Sequence, residues 1–267
     1  SLMGNGIEAR SFKIPTFQLA VPIRHRQESV QEYAAEEVVN AIHFIEEQTG
    51  EKFDWDAFFK SMKRFNAETE EFLEWMEISK TDYPQVMGVT LALYRYCVYQ
   101  AAGGRNQAFL DMDKKLTKMA LDAYKSKEMA AKEYRHRAMT WGVQAAYYTA
   151  LPIWLLNCWG VVTIADMLSM VSTEMVNTED KHQAMLDLAY LYENMIMRNR
   201  SNGGYETGVE ALWRFCEMFN IDIVIMYVHM GCKSMSGYHG LFEEEARKHG
   251  IHLIWVTHNL MCPEDGT

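Results

Sequence analysis

Cysteine is scarce in this chain and does not occur in pairs. Five cysteines are spread over 267 residues, and no C-x-x-C motif is found among them. A secreted disulfide framework is denser and usually contains an even number of cysteines. The first residues also lack the apolar segment of a signal peptide. These absences predict a protein of the reducing cytoplasm.

Basic residues are outnumbered and form no basic stripe. The chain has 26 Lys and Arg residues against 36 Asp and Glu residues, which gives a formal net charge of −10. A surface of this sign repels phosphate backbones. The composition therefore argues against nucleic acid as a partner.

An uninterrupted membrane-spanning run is also missing. The longest apolar stretch, residues 147–171, is broken by Pro152, Asn157, Gly160 and Asp166. A membrane span contains few such residues. The stretch therefore predicts a helix, a turn at Gly160 and a strand.

Common nucleotide-binding and hydrolase motifs are absent. The sequence contains no G-x-G-x-x-G, no Walker loop and no G-x-S-x-G. Binding of a dinucleotide or a nucleoside triphosphate therefore has no direct support, and neither does an α/β-hydrolase nucleophile.

What the chain does contain is a helical first half followed by alternating strands and helices. Residues 28–135 carry helical apolar stripes, whereas residues 136–267 alternate short apolar runs with amphipathic helices. Such alternation is typical of a parallel, doubly wound α/β domain of Rossmann-like type. Residues 1–27 are predicted to hold a strand at 16–21 and a linker, as the remainder of a missing or reduced first domain.

The loop at 229–237 gathers more reactive side chains than any other predicted loop. It follows the apolar run 221–228 and precedes a helix and a second apolar run at 251–256, which predicts a β-α-β unit. Ligands of open α/β sheets bind beyond the carboxyl ends of the strands. On position alone Cys232 is a candidate nucleophile or metal ligand, with inert packing as the equal alternative.

Several motifs together resemble the 2-hydroxyacyl-CoA dehydratase and benzoyl-CoA reductase subunit family. Each motif is weak alone, and their order and spacing carry the resemblance. They are P-T-F-Q-L-A-V-P at 15–22, T-G-E-K-F-D at 49–54, A-M-T-W-G at 138–142, N-R-S at 199–201, H-x-x-C-K at 229–233 and G-I-x-L-I-x-V followed by T-H-N-L at 250–260.

The resemblance implies an iron–sulfur enzyme acting on acyl-CoA. Members of the family pair as related subunits and hold a [4Fe–4S] cluster through three cysteines. A separate ATP-dependent iron–sulfur activator delivers one electron, and a ketyl radical anion of the thioester then expels hydroxide to give a 2-enoyl-CoA. The expected partners are thus an acyl-CoA substrate, a related dehydratase subunit and the activator.

Roles can then be predicted for residues of this chain, from the resemblance for Cys232 and from the places of the other residues in the predicted loop and at strand or helix ends. Cys232 matches a cluster ligand and is the predicted metal residue. The predicted roles of the other site residues are catalytic for His229 and Ser236, cofactor-binding for Lys233 and Ser234, and substrate-binding for Trp141, Gly142, Arg200 and Ser201.

The chain departs from the family pattern before Cys97, where no cysteine can supply the two other cluster ligands. The sequence therefore predicts either a fragment of a longer dehydratase subunit or a non-catalytic, cluster-free structural relative. A benzoyl-CoA reductase-type subunit remains an alternative. A cysteine hydrolase that pairs Cys232 with His229, His239 or His258 is a further alternative.

Overall fold

The structure of the chain is a computed structural model. It describes residues 9–20, 28–85, 107–129, 133–145, 150–167, 173–194 and 205–259, together with Cys262 and Glu264. The fold class predicted from the sequence is confirmed, because four parallel strands alternate with helices in the second half of the chain.

The sheet contains strands β1 (His136–Trp141), β2 (Val161–Asp166), β3 (Ile223–His229) and β4 (His252–His258) in the order β2-β1-β3-β4. All three strand pairs are parallel. Most residues of β1, β2 and β3 are buried, as expected for a parallel sheet covered on both faces. The predicted β-α-β unit is confirmed, because β3 and β4 are adjacent and parallel.

Three long helices fill the described part of the first half. They are α1 (Glu28–Thr49), α2 (Trp55–Lys80) and α3 (Gln107–Lys125). Asp54, a residue type that favours helix N-caps, caps α2, because its carboxylate accepts the Ala57 N–H at 2.9 Å. The Glu46 carboxylate accepts the Phe53 N–H at 2.9 Å, and this bond is the main reason that the pKa of Glu46 falls to about 2.

Shorter helices connect the strands. The predicted helix, turn and strand within 147–171 correspond to α4 (Leu151–Trp154), a π-helical turn (Leu155–Trp159), Gly160 and β2. Helices α5 (Lys181–Glu193) and α6 (Tyr205–Met218) lead from β2 to β3. Helices α7 (Lys233–Gly237) and α8 (His239–His249) lead from β3 to β4. No helix in the described ranges is long and apolar enough to cross a membrane.

Two hydrophobic clusters organise the described residues. The larger one joins the sheet and helices α6 and α8 to the second half of α2 and to Ala120 of α3. The smaller one is built from α1, the first half of α2 and α5. Helix α2 thus contributes to both clusters and connects the helical region to the sheet.

Some expectations for the first half are wrong or lie outside the described residues. Residues 14–20 have no regular secondary structure, so no strand forms over the described part of 16–21. The charged, Met-rich pattern from about Asn106 to Tyr134 predicts one continuous helix, whereas helix α3 ends at Lys125. Pro84 suits the first turn of a further predicted helix, which runs toward Gly103 and falls mostly outside the described residues. The domain boundaries stay predictions.

A buried arginine ties the helical region to the sheet. Arg137 of β1 is 5% exposed, and its guanidinium donates to the carbonyl oxygens of Phe219 at 2.8 Å, Thr81 at 2.9 Å and Ser79 at 2.7 Å. These carbonyls lie at the ends of α6 and α2, where backbone acceptors lack partners within the helix. Arg137 therefore joins β1 to the carboxyl ends of two helices.

Candidate functional site

The chain leaves the carboxyl ends of the neighbouring strands β1 and β3 toward opposite sides of the sheet. After β1 the chain continues to β2 on one side, and after β3 it continues to β4 on the other side. The two connections separate there and leave a crevice, which is where ligands of open α/β sheets bind. The predicted site loop 229–237 leaves the sheet at this point.

The first residues of this loop form a tight hydrogen-bonded turn that holds Cys232. The Cys232 N–H donates to the His229 carbonyl at 2.8 Å. The Cys232 carbonyl in turn accepts the N–H and the hydroxyl of Ser236, each at 3.2 Å. Met235, which is 2% exposed, anchors α7 in the core. The half-buried Cys232 is thus held by its backbone just beyond the carboxyl end of β3.

The same turn makes one hydrogen bond to the His229 ring. Its Nδ1 accepts the Gly231 N–H at 3.1 Å, so the proton of a neutral imidazole resides on Nε2. A side chain at Gly231 would meet the His229 ring, because a Cβ there would lie 2.9 Å from Cε1. His229 therefore offers an Nε2–H donor.

His258, the last residue of β4, lies beside His229. The two residues are partners in the strand register, and their ring centroids are 6.1 Å apart. His258 is 0% exposed, and its ring also contacts Tyr227 with centroids 5.9 Å apart. Burial lowers the pKa of His258, and nearby His229 adds to this effect, whereas interactions with the backbone of Asn259 and Val143 oppose it. His258 is therefore kept neutral.

The lowered pKa of His258 predicts a loss of stability on acidification. The unfolded chain binds the proton near pH 6.5, above the folded-state pKa, so the free energy of unfolding falls as the pH decreases through that value. One such group contributes a slope of at most about 1.4 kcal/mol per pH unit. Urea unfolding of wild type and His258→Phe between about pH 7.5 and about pH 5 should show a shallower dependence in the variant. Equal slopes would contradict the prediction.

Gly142 lies at the end of β1 against the backbone of β3. Its φ is +104°, and a Cβ there would lie 2.2 Å from the Tyr227 carbonyl oxygen. The neighbouring Trp141 is 0% exposed and packs in the core near Phe215. Gly142 and Trp141 thus stand at the crevice edge of β1, and their substrate-binding roles stay predictions.

Replacing Gly142 by alanine should destabilise the fold strongly. The positive φ and the backbone collision together are expected to lower the free energy of unfolding by roughly 2–4 kcal/mol. Gly250→Ala is a matched control, because Gly250 also has a positive φ of +68° but open space where the added methyl group would lie. Urea unfolding should therefore show a clearly smaller loss for Gly250→Ala, and an equal loss would show that the collision contributes nothing.

A buried carboxylate lies at the carboxyl end of β2. Asp166 is 2% exposed and accepts a short hydrogen bond from the hydroxyl of its register partner Thr140. From the sequence, Asp166 was predicted only to interrupt an apolar run. An acidic residue that closes a buried strand was the available signal.

The remaining predicted residues fall in different places. Lys233 is exposed at the start of α7, and Ser234 lies in the same helix. Arg200 and Ser201 lie outside the described residues, so the structure does not place them. The loop therefore brings His229, Cys232 and Ser236 together, and the other assignments stay predictions.

Thiol environments differ along the chain. Burial raises the pKa of the Cys216 thiol to about 12, which makes Cys216 an inert core residue. The place of Cys158 in an apolar helical stripe predicts an inert packing residue, but the structure shows that Cys158 is exposed on the π-helical turn. Within the described ranges no three His, Cys, Asp or Glu side chains converge as a metal site. The residues placed by the structure therefore do not form a complete ligand set for an iron–sulfur cluster, although Cys232 offers one thiol.

The comparison with protein families decides the relationship of the chain. The family model described as 2-hydroxyglutaryl-CoA dehydratase, D-component, matches residues 6–259. The chain belongs to this family. The match covers both the helical region and the sheet, including the loop with Cys232. Comparison with curated proteins gives no match.

Membership of the D-component family gives the chain a coarse function. A D-component is one part of a dehydratase, so the chain has an enzymatic role within a complex and works with a partner component. The resemblance inferred from the sequence motifs is confirmed at this level.

Proposed function

We propose that the chain is a subunit of a 2-hydroxyacyl-CoA dehydratase and that its Cys232 loop faces the reacting acyl group. In this reaction the substrate loses its α-hydroxyl group and one β-hydrogen as water, and a 2-enoyl-CoA remains. The observation that carries the proposal is the position of the family-matched loop 229–237 at the crevice between β1 and β3. The proposed partners are a related dehydratase subunit and an ATP-dependent iron–sulfur activator.

His229 and Ser236 have distinct proposed tasks. The Nε2–H of His229 donates a hydrogen bond to the thioester carbonyl or to the departing hydroxyl group, because its Nδ1 is already engaged by Gly231. The Ser236 hydroxyl donates to the Cys232 carbonyl, so its oxygen remains available as an acceptor. Lys233, exposed beside Cys232, adds positive charge where the thioester oxygen gains electron density.

Cys232 is proposed to contribute one thiolate to a [4Fe–4S] cluster. Clusters are held by several cysteine thiolates, so the remaining ligands have to come from outside the residues that the structure describes or from the partner component. When bound, such a cluster supplies one-electron chemistry. Trp141, Gly142, Arg200 and Ser201 are proposed to line the acyl-CoA cleft.

An anaerobic assay of the complex tests this function. The chain, purified with its native partner component and supplied with reduced activator and ATP, is incubated in separate arms with a 2-hydroxyacyl-CoA and with benzoyl-CoA. Mass spectrometry that shows loss of water from the first substrate supports the proposal. Reduction of the benzoyl ring would instead assign the reductase activity of the alternative. Absence of both products would favour a structural subunit.

A further inference from the structure

We propose that His258 is a positioning residue that fixes the orientation of the His229 ring at the crevice. His258 belongs to the last residue pair of the β3–β4 ladder, and its partner in that pair is His229. In a parallel pair, residues in register carry their side chains on the same face of the sheet. The two imidazoles are therefore neighbours by virtue of the strand register.

His258 contacts the His229 ring directly. The rings meet edge to face, with an angle of 73° between their planes. Tyr227, two residues before His229 on the same face of β3, also contacts the His258 ring, with an angle of 79° between the ring planes. The Met230 N–H donates to the His258 carbonyl at 3.0 Å, so the backbone after His229 is also tied to β4.

The polar character of His258 distinguishes it from a core residue that only fills space. Its ring nitrogens are buried and make no hydrogen bond of normal geometry in the described part of the chain, although the backbone of Val143 and Asn259 interacts with the ring. A buried polar group without a good partner costs about 1–3 kcal/mol relative to an apolar residue of the same shape. Phenylalanine would fill this space without that cost, so the imidazole serves a purpose other than packing.

That purpose follows from the three chain segments that meet at His258. Its ring contacts His229 at the end of β3 and lies near the backbone of Val143 after β1 and of Asn259 after β4. A His258 ring packed against Tyr227 and His229 keeps the His229 ring turned so that Nδ1 faces the Gly231 N–H. The Nε2–H of His229 then stays directed away from the turn. His258 thus acts through His229 and does not itself touch a substrate.

The test measures the tautomer of His229 by NMR, which requires no enzymatic assay. In NMR spectra of histidine-labelled chain, assigned with His229→Gln, wild type should show one set of His229 signals, protonated on Nε2. His258→Phe should give a mixture of tautomers and a shifted Gly231 amide signal. His258→Gln, which retains a side-chain amide, should restore most of the wild-type pattern. His252→Phe is the matched control, because His252 is exposed at the other end of β4.

Kinetics of the assembled complex give a second readout, and only this readout rests on the proposed function. His258→Phe is expected to lower kcat roughly ten- to hundredfold with little change in KM, since a misplaced donor affects the reaction more than binding. His258→Gln should recover part of this loss. A single Nε2–H tautomer of His229 in His258→Phe would overturn the inference. If the tautomer changes but no dehydration occurs even in wild type, the proposed function fails while the positioning role stands.

Discussion

Replacing Arg137 by methionine is expected to lower the free energy of unfolding by about 3–5 kcal/mol, enough to unfold a marginally stable domain. The substitution removes the donors for three carbonyl groups at the ends of α2 and α6. Each of these acceptors then loses its partner in a site where Arg137 is 5% exposed, and an unsatisfied buried acceptor costs about 1–3 kcal/mol.

Two further variants separate the hydrogen bonds of Arg137 from its charge. Arg137→Lys keeps the charge but cannot reach several carbonyls at once, because an ammonium group lacks the planar fork of a guanidinium. Arg137→Lys should therefore lower the free energy of unfolding by more than half as much as Arg137→Met does. The exposed Arg247 provides the matched control, since Arg247→Met removes the same atoms without burial. Urea unfolding measures all three, and similar midpoints for Arg137→Met and Arg247→Met would show that the buried contacts contribute little.

The alternation of strands and helices could be predicted because it is encoded locally. The runs that form β2, β3 and β4 are apolar on both faces of the sheet, and Asp54 carries the chemistry of a helix cap in its own side chain. The prediction of a strand at 16–21 was wrong over its described residues, because local sequence alone does not decide whether a strand forms. A short apolar alternation forms a strand only when a neighbouring strand completes its hydrogen bonds, and local sequence does not supply that neighbour.

The candidate site was predicted in part, since the loop at the end of β3 could be located but its surroundings could not. The proximity of His258 to His229 arises from the register between β3 and β4. The Thr140–Asp166 pair likewise arises from the register between β1 and β2. Register depends on the packing of whole strands, so residues brought together by it leave no spacing pattern in the sequence. The role of Arg137 could not be predicted for a related reason, because burial of a basic residue depends on carbonyls distant along the chain.

Cys232→Ser should abolish dehydration by the complex and lower its iron content at least about tenfold, if Cys232 provides a cluster ligand. Serine preserves the turn, because the hydrogen bonds that hold this residue to His229 and Ser236 use its backbone N–H and carbonyl groups. The fold and the assembly with the partner component should therefore remain unchanged. A hydroxyl group, unlike a thiol, does not ionise readily near neutral pH, so the substitution removes the soft thiolate ligand that iron in a cluster requires.

The controls for Cys232→Ser follow from the thiol environments. Cys158→Ser changes an exposed thiol away from the loop and should leave iron content and activity unchanged. Cys216→Ser would be a poor control, because it places a hydroxyl group in the core. Iron and sulfide analysis with EPR, made anaerobically on the complex, measures the outcome. Unchanged iron in Cys232→Ser would exclude Cys232 as a required ligand, whereas absence of iron in wild type as well would favour a cluster-free subunit. Loss of iron in Cys232→Ser alone would make the carboxyl end of β3 the point at which this chain meets the cofactor.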